Sequence, residues 1–311
     1  MKIAAVKTGA IGDLIQVTPA LSAIRKKHPE SEITLICGVE YAHVLKNHKA
    51  LDKILTFRSK RLYSPLMPFE AINIASLLRG FDTAYVFHTD PKWHTLAKIS
   101  GANCICSVKE SGISRHMWHL KTVGAGYGFG YSFHPEESAM NLPDSPYIAI
   151  SAGGGRNFRR HTPQKIWDKQ AELAIKIVEQ TDYFVAILGI EEEKLNVNHP
   201  KIFDYTGKTS LSDCYHIIKG AAGYIGCDSG LTHLAACTDI PVTAVFGATD
   251  PNECAPPSVS DIIMSKRPCA PCENNGKHAC KENLCMQEIS VEKVFSNILT
   301  TLLQSTQSRH N

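Results

Sequence analysis

The feature of this sequence that most constrains its fold is a repeated alternation of short apolar runs with segments of helical periodicity. Lys2–Lys7 is β-branched and apolar, and Leu14–Lys27 carries apolar residues at the i, i+3 and i+7 positions of one helix face. Further strands are predicted at Ile33–Cys37, Lys53–Phe57 and Thr83–His88, separated by connections of helix length. This rhythm predicts an α/β fold with a parallel sheet covered on both faces.

The rhythm fades across a stretch rich in glycine and proline, Gly124–Pro146, and then restarts. In the second half, strands are predicted at Tyr147–Ser151, Tyr183–Leu188, Gly223–Cys227 and Val242–Phe246, and helices at Gln164–Glu179, Leu211–Lys219, Ser229–Cys237 and Val291–Leu303. We therefore expect two βα domains, residues 1–145 and 146–311. Ligands of open α/β sheets bind beyond the carboxyl ends of the strands, so the expected site is the cleft between the two domains.

Charge and hydropathy exclude two classes of protein. With 33 Lys and Arg against 30 Asp and Glu, the net charge of +3 is too close to neutral for a dedicated nucleic-acid binder. No apolar run reaches the roughly 18–20 residues that cross a bilayer. Lys7 interrupts the first apolar run before the core of a signal peptide forms. These observations favour a soluble, cytoplasmic protein.

A glycine-marked turn, Thr8–Asp13, follows the first predicted strand. Gly9 and Gly12 allow close approach of the backbone to a ligand, although their spacing is not that of a dinucleotide fingerprint. Asp13 falls in the first turn of the following helix, where an acidic side chain stabilises the helix by about 1 kcal/mol. Capping and a role in chemistry are both open for Asp13 from the sequence alone.

Two further loops have the chemistry of anion sites. Ser151–Pro163 combines three consecutive glycines with basic side chains, a pattern that cradles phosphate but equally describes a solvated basic turn. It lacks the G-K-[ST] ending of a Walker loop. Gly226–His233 joins a strand to a helix whose free amides can bind an anion. His233 lies one turn into that helix, where a lone histidine is more often structural.

Several ordered motifs together resemble glycosyltransferase family 9, the bacterial ADP-heptose heptosyltransferases, over nearly the whole chain. The matching segments are Gly12-Asp13 with Pro19-Ala20-Leu21, Thr206–Leu211, Asp228–Ala236 and Phe246–Pro251. The resemblance implies the GT-B architecture, two Rossmann-like domains facing each other across a cleft, with the donor held mainly by the second. It also implies inverting transfer of heptose from ADP-heptose to the inner core of lipopolysaccharide.

The resemblance implies roles for particular residues. Asp13 is the candidate general base for the acceptor hydroxyl, and Arg160 is the candidate phosphate ligand, with Arg159 as its alternative. Thr209 falls where the family packs a residue against adenine, and Glu191 is a candidate for the ribose hydroxyls. The full set expected to bind the donor is Gly12, Gly154, Gly155, Arg160, Glu191, Thr209, Asp228, Ser229, Gly230 and His233. No D-x-D motif occurs, so the diphosphate is expected to be stabilised by helix amides and arginine and not by a bridging metal.

The acceptor is less constrained than the donor. The architecture implies an acceptor site on the first domain, through Arg58–Pro68 and Ser107–Lys121. Their basic residues suit the acidic groups of a lipid A–Kdo acceptor, although a solvated surface explains the charges equally well. Transfer to a protein acceptor, of the autotransporter type, and a non-catalytic nucleotide-sugar-binding protein are the alternatives. Contact with the inner membrane is expected to be peripheral.

The chain contains 11 cysteines, and four are bunched at Cys269, Cys272, Cys280 and Cys285. Clustered cysteines in a reducing compartment favour a metal site over a disulfide framework. The opening C-x-x-C pair is typical of metal sites, but the complete spacing is not that of a standard zinc finger. Related heptosyltransferases that modify autotransporters carry an iron-binding cluster of this kind. From the sequence alone, the cluster either holds a structural zinc or iron or consists of four reduced thiols. No cofactor is expected in catalysis.

Overall fold

The computed structural model describes residues 1–153, 165–272 and 282–309, with side chains described through residue 305. Two compact units are present, Met1–His134 and Pro135–Asn311. The division falls before the predicted boundary at 145/146. Residues just after His134 bind the second unit: Glu136 N donates to Ser212 Oγ at 3.0 Å, and the Ser138 hydroxyl donates to the Asp213 carboxylate at 2.5 Å.

The first unit is a five-stranded, all-parallel sheet in the order β3-β2-β1-β4-β5. Its strands are β1 (Lys2–Val6), β2 (Glu32–Gly38), β3 (Lys53–Phe57), β4 (Thr83–Val86) and β5 (Cys104–Cys106). Its helices are α1 (Ile11–Lys27), α2 (Met67–Leu77), α3 (Pro91–Ser100) and α4 (Arg115–Thr122), with 3₁₀ segments at Val39–Leu45 and Ser59–Tyr63. The central strand β1 is buried beyond Lys2, as a strand covered on both faces requires.

Helix α1 begins beside the carboxyl end of β1 and carries Asp13 in its first turn. Pro19 lies inside this helix and cannot donate a hydrogen bond to the carbonyl of Ile15 four residues earlier. The hydroxyl of Thr18 donates to that carbonyl at 2.7 Å instead. A buried side chain thus satisfies the group that proline leaves open, and α1 continues to Lys27.

In the second unit the described residues form a six-stranded parallel sheet in the order β11-β10-β9-β6-β7-β8. The strands are β6 (Tyr147–Ser151), β7 (Phe184–Leu188), β8 (Ile202–Asp204), β9 (Gly223–Cys227), β10 (Val242–Phe246) and β11 (Asp261–Met264). The helices are α5 (Gln170–Gln180), α6 (Leu211–Gly220), α7 (Gly230–Ala235), α8 (Pro251–Cys254), α9 (Leu284–Gln287) and α10 (Val291–Arg309), and a 3₁₀ turn spans Glu191–Glu193. The α/β class and the two Rossmann-like units are as predicted.

Helix α5 begins later than predicted, at Gln170 instead of Gln164. Trp167 explains why residues 165–169 are not part of this helix. Its side chain is 1% exposed and packs in the core of the unit. Its indole N–H donates to the carbonyl of Ile289 at 3.0 Å, and its backbone N–H donates to Cys227 Sγ at 3.4 Å. An α-helical backbone through Trp167 would redirect both donors. Within the described part of the chain, no helix has the length and apolar character needed to cross a membrane.

Candidate active site

Asp13 lies at the carboxyl edge of the first sheet, where the sequence predicts it. Its Oδ2 accepts a hydrogen bond from the backbone N–H of Ala10 at 3.0 Å, so Asp13 caps α1. Its Oδ1 lies 3.4 Å from Lys7 Nζ. The Asp13 side chain keeps 35% of its surface exposed. The capping role is therefore confirmed, and the same carboxylate remains accessible to a ligand.

Lys7 connects two strands of this edge. It directly follows β1 and its side chain is only 10% exposed. Its ammonium donates to the carbonyl of Phe87, just beyond the neighbouring strand β4, at 3.1 Å, and it pairs with Asp13. A buried ammonium with two oxygen partners holds a fixed position, and it fixes the carboxylate beside it.

Opposing effects set the ionisation of Asp13. Burial alone would raise the pKa of its carboxyl group. The positive charges of Lys7 and Arg115, with the hydrogen bond from Ala10 N–H, outweigh burial and leave the pKa below its ordinary value of 3.8. Asp13 is therefore a carboxylate at neutral pH and can accept a proton from a bound hydroxyl group.

Two histidines near Asp13 were not identified from the sequence. His88 follows β4, accepts at Nε2 from the N–H of Thr8 at 3.0 Å, and stacks on Trp93 with ring centroids 4.2 Å apart. His119 is 2% exposed, and no hydrogen-bond partner for its Nε2 lies in the described residues. Burial and the charge of Lys7 hold the pKa of both rings well below 6.5, so both are neutral at pH 7. His88 could have been found from its position, because polar residues just after neighbouring strands such as β1 and β4 meet at the edge of the sheet where ligands bind.

In the second unit, Asp228 follows β9 and forms an ion pair with Lys165. The Asp228 Oδ2 to Lys165 Nζ distance is 2.7 Å, and the two side chains are 11% and 20% exposed. Lys165 stands two residues after the predicted phosphate loop, Ser151–Pro163. In the structure its ammonium lies on the Asp228 carboxylate, so it neutralises a buried charge at the edge where the donor is expected.

Ser229, Gly230 and His233 lie on the turn and helix after Asp228. Ser229 is the N-cap of α7, with its hydroxyl accepting from the Thr232 N–H at 3.4 Å, and Gly230 is the first residue of that helix. His233 is 4% exposed, so its ring is buried in the second unit. This burial favours a structural role for His233.

Glu191 and the segment before α6 lie next to each other in the structure. Gly207 N donates to the carbonyl of Gly189 at 2.9 Å, which joins the loops after β8 and β7. Gly207 has a φ of +70°, and a Cβ there would lie 2.9 Å from Cβ of Glu191. Thr209 lies two residues further along the chain and is partly buried, with its Oγ1 3.3 Å from Cys214 Sγ. Glycine at 207 is required by both its conformation and this contact.

Glu193 is a residue of this edge that sequence reasoning missed. Its Oε2 accepts from the Ile190 N–H at 3.2 Å. A Cβ on Gly189 would lie 3.1 Å from the same oxygen, and Gly153 has no room for a Cβ against this carboxylate. The loops after β6 and β7 therefore meet at Glu193. The family resemblance singled out Glu191 among three adjacent glutamates, and no sequence signal pointed to Glu193.

Three predicted donor residues, Gly154, Gly155 and Arg160, lie outside the described residues, as do Arg159 and Cys280. Gly12 is described: it is buried in the first turn of α1, directly before Asp13.

The cysteine cluster is described at three of its four members. Cys269 is exposed, Cys272 is partly buried and Cys285 is 3% exposed. Cys272 N donates to the carbonyl of Ala248 at 3.0 Å, and a Cβ on Gly247 would lie 2.9 Å from Cys285 Sγ. Both cysteines therefore pack on the turn after β10. Among the residues that the structure describes, no three His, Cys, Asp or Glu side chains converge to hold a metal ion.

Sequence comparison shows which proteins this chain resembles. The family model for glycosyltransferase family 9 (heptosyltransferase) matches residues 130–282. Lipopolysaccharide heptosyltransferase 1 of Pseudomonas aeruginosa is 22% identical over 312 residues, covering 88% of this chain and 86% of that protein.

Solved structures show the same fold. The ADP-heptose lipopolysaccharide heptosyltransferase II of Escherichia coli superimposes with a TM-score of 0.74 at 17% identity, covering 98% of this chain and 100% of that one. The iron-containing dodecameric heptosyltransferase TibC of enterotoxigenic E. coli, solved with ADP-D-β-D-heptose, gives a TM-score of 0.65 at 16% identity, covering 98% of this chain and 76% of that one.

Proposed function

The chain belongs to glycosyltransferase family 9 and is a glycosyltransferase, and from this premise we propose that it transfers heptose from ADP-heptose to the inner core of lipopolysaccharide with inversion. The observation that carries the proposal is the Asp13 carboxylate, which Lys7 and Arg115 keep ionised at the carboxyl edge of the first sheet. Capping of α1 uses Oδ2, whereas the pairing of Oδ1 with Lys7 and the 35% exposure of the side chain favour a catalytic role over a nucleotide-sugar-binding protein without catalysis.

In the proposed reaction, a hydroxyl oxygen of the acceptor attacks the anomeric carbon of the heptose. Asp13 accepts the hydroxyl proton as the new C–O bond forms, and the bond from the anomeric carbon to the diphosphate breaks. ADP departs with the electron pair of that bond. A single displacement of this kind inverts the anomeric centre, and a positioned base typically contributes about 10²–10⁴-fold to its rate.

The donor is proposed to lie on the second unit. The hydrogen bond from Gly207 N to the carbonyl of Gly189 joins two loops, one carrying Glu191 and the other carrying Thr209. The nearness of these two loops supports the roles of Glu191 at the ribose and of Thr209 at the adenine. Asp228 is neutralised by Lys165, so its charge does not repel a diphosphate nearby. The backbone N–H of Gly230 and the Ser229 hydroxyl are proposed to contact the diphosphate, together with the predicted ligands Gly154, Gly155 and Arg160.

No step of this mechanism passes through a metal. The described cysteines do not converge into a site that fits zinc or iron, and Cys280 lies outside the described residues. A structural metal at the cluster stays a prediction of the sequence. A cytoplasmic position with peripheral contact at the inner membrane is likewise a proposal, and it rests on the proposed lipid acceptor.

Donor recognition is tested by thermal unfolding in the presence of nucleotide sugars. ADP-heptose at about 100 times its dissociation constant is expected to stabilise the folded chain by about 2.7 kcal/mol, a rise in Tm of several degrees. ADP-glucose, UDP-glucose and GDP-mannose at the same concentration serve as matched controls, and we expect smaller shifts. A larger shift with one of these three would overturn the heptose assignment while leaving the family unchanged.

A further inference from the structure

An exposed apolar surface lies on the first unit, along the segment that follows β3. We call it the apolar patch: Tyr63, Leu66, Met67, Phe69 and Ile72, with exposed fractions of 47%, 45%, 48%, 69% and 69%. These five large apolar side chains occur within ten residues of sequence, 63–72. Single exposed apolar residues are ordinary, whereas several within one short segment favour an interaction surface.

The helix beneath this surface already has a buried face. Ile74 and Leu78 are 0% and 2% exposed and pack in the core of the first unit with Phe57 and Trp93. Phe69 and Ile72 point away from that core on the same helix, α2. A helix on the surface of a globular unit normally presents polar side chains opposite its buried face. Helix α2 therefore exposes two large apolar side chains, Phe69 and Ile72, that the packing of the unit does not need.

Basic residues flank the apolar patch in the sequence. Arg58, Lys60 and Arg79 are exposed. The segment 58–80 contains a single acidic residue, Glu70, which is 2% exposed and accepts from Arg58 N at 2.9 Å. The Arg61 guanidinium lies 3.7 Å from the same carboxylate. No exposed acidic side chain of this segment opposes approach to an anionic surface.

Asp90, the N-cap of α3, does not change this balance. Asp90 forms an ion pair with Lys92 at 2.9 Å, and Lys92 Nζ lies 5.4 Å from the centre of the Tyr63 ring. The neighbouring helix thus brings a further cation to the edge of the apolar patch.

The apolar patch shares an edge of the sheet with Asp13. Gly38 N, at the end of β2, donates to the carbonyl of Thr8, after β1, at 2.9 Å. A Cβ on Gly38 would lie 2.9 Å from Cβ of Ser59, which opens the segment after β3. The loops that carry Asp13 and the apolar patch are therefore connected through Gly38. A glycolipid whose acyl chains stay in a bilayer presents its sugars beside the membrane surface, at the edge where Asp13 lies.

We propose that the apolar patch docks the chain on an anionic phospholipid bilayer. Phe69 and Ile72 enter the boundary between headgroups and acyl chains, and Lys60 and Arg79 contact lipid phosphates. Apolar side chains supply the insertion and basic side chains add attraction to anionic lipid, the combination that reversible interfacial binding requires. This inference rests on the proposed function, because an acceptor anchored in a bilayer can be reached only at the membrane surface.

The test is co-sedimentation with large vesicles, without donor or acceptor. We expect the chain to bind vesicles of phosphatidylethanolamine and phosphatidylglycerol, and to bind phosphatidylcholine vesicles far less. The double variant Phe69→Ser, Ile72→Ser should lower the partition coefficient at least about tenfold. Leu303→Ser, at a residue 67% exposed on α10, is the matched control and should bind like the parent. Lys60→Gln with Arg79→Gln should weaken binding and reduce its salt dependence.

Two results would overturn the docking proposal: unchanged binding by the Phe69→Ser, Ile72→Ser variant, and a self-associated parent in sedimentation velocity that this variant dissociates. The second would make the apolar patch an interface between copies of the chain. Transfer assays separate this failure from failure of the proposed function. The variant should retain parental transfer to a deacylated, water-soluble core acceptor and lose it on a vesicle-embedded acceptor. Vesicle binding by a parent that transfers heptose to neither acceptor would contradict the proposed function alone.

Discussion

Replacing Asp13 with asparagine is expected to lower the rate of heptose transfer by about 10²–10⁴-fold, the contribution of a positioned general base. The amide keeps the size of the side chain and an oxygen that accepts from Ala10 N–H, so α1 retains its cap. It cannot take the proton of the acceptor hydroxyl. ADP-heptose affinity, measured by calorimetry, should be nearly unchanged.

Asp82→Asn is the matched control for this substitution. The Asp82 carboxylate accepts from Lys2 N at 2.7 Å, at the amino edge of the same sheet, opposite the edge that carries Asp13. Its replacement should leave the transfer rate at the parental level. Equal rates for Asp13→Asn and the parent would remove Asp13 from the chemistry and leave it only as a helix cap.

Replacing Lys7 with methionine is expected to move the acid limb of the pH–rate profile to higher pH. Burial raises the pKa of Asp13, and without Lys7 only Arg115 and the Ala10 N–H oppose that effect. The carboxylate then takes up a proton at higher pH, and because the base must be ionised, activity is lost earlier as the pH falls. Folding should weaken by about 1–3 kcal/mol, since the carbonyl of Phe87 loses its buried donor.

The control for Lys7 is an exposed lysine in a comparable ion pair. Lys53 Nζ lies 2.8 Å from Glu32 Oε2, and its side chain is 59% exposed. Lys53→Met should change the free energy of unfolding by less than about 1 kcal/mol and leave the pH–rate profile unchanged. An acid limb that stays in place for Lys7→Met would show that Lys7 does not set the ionisation of the base.

The strands inside each sheet could be predicted from the sequence, whereas most edge strands could not. The predicted bounds Tyr147–Ser151, Gly223–Cys227 and Val242–Phe246 are confirmed, because these strands are buried on both faces and read as continuous apolar runs. Strands β5, β8 and β11 were missed. They are edge strands of three or four residues with partly exposed side chains, so they lack the apolar run that identifies a strand.

The loops of the candidate site were predictable, but the partners inside it were not. Asp13, Asp228 and Ser229 were found because each stands where a strand ends and a helix begins. The contacts of Lys7 with Phe87 and of Lys165 with Asp228 join residues far apart in the sequence. Such contacts depend on which strands are neighbours, and strand order is set by packing of the whole sheet and not by any local pattern.

The measurement that tests the central claim most directly is the mass of the acceptor after reaction. Lipopolysaccharide lacking heptose, ending in Kdo, is incubated with ADP-heptose and the enzyme, and the product is analysed by mass spectrometry. We expect a gain of one heptose residue per acceptor, with release of one ADP, and no gain with Asp13→Asn. An unmodified core acceptor, when a protein acceptor in the same assay gains heptose, would contradict the assignment to lipopolysaccharide.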